Sequence, residues 1–162
     1  MNRKTVHLIL SALLVLLVVC FIFSNSLLDG EDSSRQSGLV MKFLQAILDP
    51  NHTIGEETFH HFVRKGAHFS EFALLGLSLC VLMRCIQGAS GKYCPGFMLL
   101  AALGTAVADE FIQSFTGRTS SVADVVLDFS GAVTGFTLML ILFALKITIK
   151  EKKYAAKKCG AE

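Results

Sequence analysis

The chain has 162 residues, of which 52% are hydrophobic, with two prolines, no tryptophan, a formal net charge of +2 and a mean hydropathy of +0.57. That profile excludes an ordinary soluble domain of this length and makes an integral membrane protein the default class. The charged residues gather at Arg3-Lys4, between Asp29 and Lys65, around Arg84 to Lys92, and after Lys146, leaving apolar stretches between them.

A membrane span needs about 20 mostly apolar residues to cross a hydrocarbon core of roughly 30 Å. The first candidate runs from about Val6 to Phe23, "VHLILSALLVLLVVCFIF". A cleaved signal peptide is the alternative, since a basic start, an apolar run and "FSNS" stand in the right order; the run is long for that purpose and no A-x-A-like site follows.

A long connection from about residue 24 to 64 follows, and its part "SNSLLDGEDSSRQSG" reads as a surface loop. Within it, "LVMKFLQAILD" places Val40, Phe43, Leu44, Ile47 and Leu48 at helical spacing. This predicts an amphipathic helix that lies in the membrane interface or covers the bundle as a lid. "TIGE" has the spacing of a capping box, Thr53 to Glu56, and predicts a helix that starts outside the membrane and runs to about Cys85.

The other spans are expected at about 67–86, 95–115 and 122–145, with a lysine-rich tail from 146 to 162. The expected fold is therefore all-α: one domain, a four-helix membrane bundle with an outer interfacial helix. With the N-terminus inside, the inner flanks hold Arg3, Lys4, Arg84, Lys92 and six lysines from Lys146 to Lys158, against Arg35, Lys42, Arg64, Lys65 and Arg118 outside. Positive flanks stay on the cytoplasmic side, so both termini are expected there. The tail reads as a topology anchor and anionic-lipid contact, and no nucleic-acid partner is indicated. Five cysteines without C-x-x-C spacing indicate neither a disulfide framework nor a cysteine metal site.

Polar residues cluster at the outer ends of these spans. On the second, His61, Arg64, His68 and Glu71 recur at spacings of 3, 4 and 3, one face of a helix, with Lys65 beside it. On the third, Asp109, Glu110 and Gln113 share a wedge. On the fourth, Ser121, Asp124, Asp128, Gly131 and Gly135 line one face, whose lower part is a small-xxx-small surface for close helix packing. Topology brings these groups together with Arg118 near the outer surface. Ionisable residues at membrane depth are costly unless paired or hydrated and mark a functional cavity by default. Five carboxylates here exceed their basic partners, so either some carry protons or a cation fills the cluster.

The blocks "RKGAHFSEFALLGL" and "DEFIQSFTGRTSSVADVVLDFSGAVTG" resemble the VanZ-like family of bacterial membrane proteins, and "FSNS" is similar to that family's segment after the first span. The matched positions are Lys65, His68, Glu71, Asp109, Glu110, Gln113, Arg118, Ser121, Asp124 and Gly131. Phe72 stands where the pattern usually has tyrosine, and Asp128 where it usually has asparagine. The resemblance implies an envelope role in a bacterial plasma membrane, with tolerance of the glycopeptide teicoplanin.

Two function classes fit these residues. In the first, an enzyme works on a lipid-linked or headgroup substrate at the outer leaflet. His68, oriented by Glu71, is then the general acid/base, and Asp109, Glu110 and Asp124 complete the catalytic set, holding a divalent cation such as Mg²⁺ or Mn²⁺ with Asp128 as a further candidate ligand. Lys65, Gln113, Arg118, Ser121 and Asp128 bind substrate, with Arg118 suited to a phosphate or carboxylate. In the second, the same cluster is a non-enzymatic site of a lipid or ion binder or a transporter; four spans without repeat symmetry weigh against secondary transport. Partners in either case are membrane lipids or a lipid-linked envelope precursor. An intramembrane metalloprotease is a weak third class, because H-E-x-x-H is absent.

Overall fold

The computed structural model describes residues 2–27, 43–47, 49, 54–116 and 120–159, with side chains described as far as 152. Four long helices, α1 (Arg3–Leu27), α2 (Glu56–Ser90), α3 (Pro95–Phe115) and α4 (Val122–Cys159), hold most of these residues, 43–47 form a short helical piece, and no strand occurs among the described residues. All four are long and apolar enough to cross a membrane. The fold expected from the sequence, an all-α four-helix membrane bundle, is the one found.

The helices outrun the expected spans because helical backbone does not stop where the hydrocarbon does. α1 continues through "SNSL" to Leu27, α2 starts at Glu56, and α4 carries on through residues expected to form a tail. At 1.5 Å per residue, the 35 residues of α2 reach about 52 Å, well beyond an apolar core of roughly 30 Å. Glu56 and Glu57 occupy its first turn, where the helix dipole favours acids. The expected capping box does not set this start. Gly55 takes the cap position without a side-chain hydrogen bond, and Thr53 lies outside the described residues.

Of the expected interfacial helix, residues 43–47 and Asp49 are described; 43–47 are helical, with Phe43 and Ile47 exposed. Val40 and Leu48 lie outside the described residues. Asp49 is buried, and its carboxylate accepts a hydrogen bond from the Ile54 backbone N–H at 2.8 Å.

Short connections force neighbouring helices to reverse. α2 ends at Gly91, which takes the left-handed conformation (φ 73°) and donates its N–H to the Gln87 carbonyl; Pro95 then opens α3. α3 ends at Thr116, and the Ser121 hydroxyl accepts the Ala123 N–H at the start of α4. α2 and α4 consequently run parallel, with α1 and α3 antiparallel to them. α2 touches all three other helices, whereas α1 and α4 do not meet.

The core is a single apolar cluster built from Val18 and Ile22 of α1, Phe72, Leu75, Leu79 and Met83 of α2, Met98, Ala102 and Ala106 of α3, and Ala132 and Phe136 of α4. On α1, the buried residues Ser11, Val18, Ile22 and Ser26 form one narrow stripe, while Leu10, Leu13, Leu16 and Leu17 are exposed. An outward apolar surface of this kind suits hydrocarbon, where lipid replaces water as the solvent.

The tightest packing lies between α2 and α4. A Cβ on Gly131 would overlap the Phe69 carbonyl, one on Gly135 the Ala73 carbonyl, and one on Gly76 the Ala132 carbonyl. Here the small-residue spacing read from the sequence brings two backbones into contact. Placing a methyl group at this seam forces the helices apart, so Gly135→Ala is expected to lose about 1–3 kcal/mol. Gly104 has nothing within 4 Å of a built Cβ. Thermal unfolding in detergent, followed by the fraction remaining monodisperse, should show Gly135→Ala melting well below the parent and Gly104→Ala at or slightly above it.

Candidate functional site

The C-terminal end of α1, the N-terminal half of α2, the last two turns of α3 and the first two turns of α4 lie at the same end of the bundle. Helical spacing then decides which side chains meet. On α2, Arg64, Lys65, His68 and Glu71 follow at intervals that keep them on the inward face; on α3, Asp109 and Gln113 are one turn apart; on α4, Asp124 and Asp128 are likewise one turn apart. A cavity of about 70 Å³ opens beside them, lined by Arg64, Lys65, His68, Glu110, Gln113, Asp124 and Asp128 but not by Glu71 or Asp109. His61 and Arg64 are its exposed lining residues, Lys65 and His68 are half-buried, and Gln113 and Asp128 are buried. A polar space of that size holds an ion with part of its hydration shell.

Each carboxylate has a distinct environment. Glu71 accepts a hydrogen bond from the Asn25 amide at 2.8 Å. Asp109, fully buried, accepts from the Ser26 hydroxyl at 2.6 Å on one oxygen and from the Gln113 amide at 2.8 Å on the other. Glu110 accepts the Ser121 backbone N–H at 2.9 Å, which ties the end of α3 to the start of α4. Asp124 forms an ion pair with Lys65 across the α2–α4 seam. Asp128 is 1% exposed, and neither of its oxygens has a hydrogen-bond partner among the described residues. Buried polar atoms are almost always satisfied in native structures, so this exception calls for a physical account.

His68 approaches Asp109, with Nδ1 3.9 Å from Oδ2. The sequence reading expected Glu71 to orient His68; the structure sets Asp109 beside the imidazole and Asn25 against Glu71. Of the expected metal ligands Asp109, Glu110 and Asp124, with Asp128 as a further candidate, Asp109 and Asp128 belong to the group whose donor atoms converge. Glu110 is directed to the Ser121 backbone and Asp124 to Lys65, whereas His68, Asp109 and Asp128 place donor atoms within 4.8 Å of one another. Ser121 contributes through its backbone and its helix-start hydroxyl, and is otherwise exposed. Arg118 lies outside the described residues.

Asn25 and Ser26 are the functional-site residues that sequence reasoning missed. Ser26 is wholly buried at the end of α1, where it donates to Asp109 and accepts from Gln113 at 3.3 Å. Their signal was present in "FSNS", a polar step on a helix that is otherwise apolar for some 20 residues. Read as the beginning of a loop, it offered no reason to face inward.

The arrangement combines an imidazole next to a carboxylate, a buried carboxylate without a hydrogen-bond donor, and cationic groups toward the opening. It can relay a proton, hold a cation, or take up an anionic group at the mouth. Removing the Ser26 hydroxyl strands a buried Asp109 oxygen, so Ser26→Ala should lower stability by about 1–3 kcal/mol. Ser24 donates only to the Cys20 carbonyl of its own helix at an exposed position. Melting temperatures in one detergent should separate the two, with Ser24→Ala close to the parent.

A family model described as VanZ/LLP1 matches residues 11–143. No curated protein and no solved structure matches the chain.

Proposed function

The chain belongs to the VanZ/LLP1 family, and from that premise and the geometry of its polar end we propose that it is an envelope protein of the bacterial plasma membrane. In this reading both termini are cytoplasmic and the cavity opens at the outer leaflet. It binds the anionic headgroup of a membrane lipid or lipid-linked envelope precursor and thereby contributes to tolerance of glycopeptides such as teicoplanin.

The observation that carries the reading is the order of charge along the cavity. Of the lining residues, His61 and Arg64 are exposed, Lys65, His68 and Asp124 are half-buried, and Glu110, Gln113 and Asp128 are buried. A phosphate or diphosphate arriving along the membrane surface would meet cationic donors first. Arg64 suits this task because its planar guanidinium can hold two phosphate oxygens at once. Lys65 adds a point charge already positioned by Asp124. The family resemblance adds Arg118 as a further anion ligand, on the connection that joins α3 to α4.

A second reading, that the bound lipid is also turned over, is favoured by one feature. His68 lines the cavity and stands 3.9 Å from Asp109, as a general acid/base beside an orienting carboxylate would. Product formation on a lipid-linked diphosphate, lost in His68→Gln with binding retained, separates this reading from binding alone.

For the headgroup reading, the full chain in zwitterionic nanodiscs should bind a fluorescent polyprenyl diphosphate in preference to the matching polyprenyl alcohol. Replacing both Arg64 and Lys65 by Gln should weaken that binding at least about tenfold, and added salt should weaken the parent more than the variant. Equal binding of the alcohol and the diphosphate would overturn it.

A further inference from the structure

We propose that the inner part of the cavity is a divalent-cation site made by His68 of α2, Asp109 of α3 and Asp128 of α4. The open coordination positions of the ion face the cavity.

Three observations converge on these side chains. Their donor atoms all lie within 4.8 Å of one another, although the residues come from three different helices. Around one ion with bonds of about 2.1 Å, donors sit roughly 3.4 to 4.2 Å apart, from tetrahedral to opposed positions. A spread of up to 4.8 Å is wider than that range, so binding requires the side chains to draw inward by roughly half an ångström.

The second observation is Asp128. A carboxylate 1% exposed, lining a polar cavity and lacking a hydrogen-bond donor among the described residues, is a costly group to leave bare. Nothing in the fold's packing requires an acid there: α4 already meets α2 through Gly131 and Gly135 one and two turns further along. A metal ion supplies the missing partner for both oxygens.

The third is the way Asp109 is held. Ser26 donates to Oδ1 and Gln113 to Oδ2, which locks the carboxylate plane while leaving each oxygen a further acceptor direction. Ligating carboxylates are commonly oriented in this manner by surrounding hydrogen bonds. One of these two donors, Ser26, comes from α1, a helix that supplies no ligand, so α1 acts as a support for the site.

Charge is consistent with a 2+ ion. Among the described acids of the cluster, Asp124 has the Lys65 ammonium as its partner, while Glu110 and Glu71 accept hydrogen bonds from the neutral Ser121 N–H and Asn25 amide. With both carboxyls ionised around it, a divalent cation at Asp109 and Asp128 would be balanced in charge. One imidazole nitrogen and two carboxylate oxygens favour Mn²⁺ or Zn²⁺ over Mg²⁺, which prefers oxygen ligands and keeps most of its water. The proposal deepens the headgroup reading, on which its functional consequence rests: a cation at the floor leaves open positions that a phosphate oxygen can occupy. The ion site itself stands on the three side chains alone.

The test uses the full chain in zwitterionic nanodiscs, stripped with chelator and titrated with Mn²⁺ while the free-ion signal is read by electron paramagnetic resonance. Zn²⁺ competition is read in the same samples. One saturable Mn²⁺ per chain, displaced by Zn²⁺, is expected. Asp128→Asn and His68→Gln should each weaken it at least about tenfold, since loss of a ligand should cost no less than loss of an orienting group. Glu151→Gln, an exposed acid at the far end of α4, should bind as the parent does. Asp128→Asn is nearly isosteric, and its melting temperature without metal, measured alongside, should be no lower than the parent's. Absence of saturable binding, or binding that both site variants leave intact, overturns the proposal. Diphosphate-lipid binding without ion binding overturns the ion site alone, and ion binding without lipid preference overturns the headgroup reading alone.

Discussion

The carbonyls of Phe69 and Ala73 on α2 occupy the space that side chains at 131 and 135 of α4 would need. This contact of two parallel backbones governs the polar end of the molecule. Continuing one to two turns toward the helix starts, the same seam sets Lys65 against Asp124 and brings His68 within reach of Asp128. Because rows on parallel helices stay in register, a close crossing at Gly131 and Gly135 leaves little freedom for the side chains just above it. Small residues at such crossings give packing in a medium where burial of apolar surface between helices brings no advantage over lipid.

Above the seam the controlling constraint becomes electrostatic. Carboxylates in a bundle facing lipid must be paired, hydrogen-bonded or neutralised, because the surroundings offer no water to compensate them. The molecule meets this by drawing each acid to a different element. α1 supplies amide and hydroxyl donors, α4 supplies its starting backbone N–H, and α2 supplies an ammonium group. Asp128 is left to the cavity, and a group so placed is what gives the cavity chemistry. The acid at this position, where the resembled pattern usually has asparagine, therefore bears directly on what the floor can hold.

Much of this was legible in the residues. The glycine spacing at 131 and 135 and the common face of Asp124 and Asp128 were read correctly because a helix of fixed period leaves little choice. The convergence of His68, Asp109 and Asp128 at one end followed from topology, which short connections dictate. Pairings within the cluster were less legible. Glu110 and Asp109 are adjacent in sequence yet point to different partners, and His68 stands beside Asp109 although Glu71 is nearer along the chain. Helical period places a residue on a face but does not choose among acids on the faces opposite. Asn25 and Ser26 escape such a reading because the apolar run ends before them, whereas the helical backbone continues for another turn and carries them to Glu71 and the buried Asp109.

The central claim is that the glycine seam sets the geometry of the cavity above it, and it is tested most directly by adding a methyl group to the seam without touching a lining residue. Gly131 meets the Phe69 carbonyl, next in sequence to His68, and contributes no side chain to the cavity. Affinity for the polyprenyl diphosphate should be measured for Gly131→Ala at a temperature where the variant is fully folded. A loss of about tenfold or more, with Gly104→Ala unchanged, is what a seam-controlled site predicts. A folded Gly131→Ala that binds as tightly as the parent would contradict it.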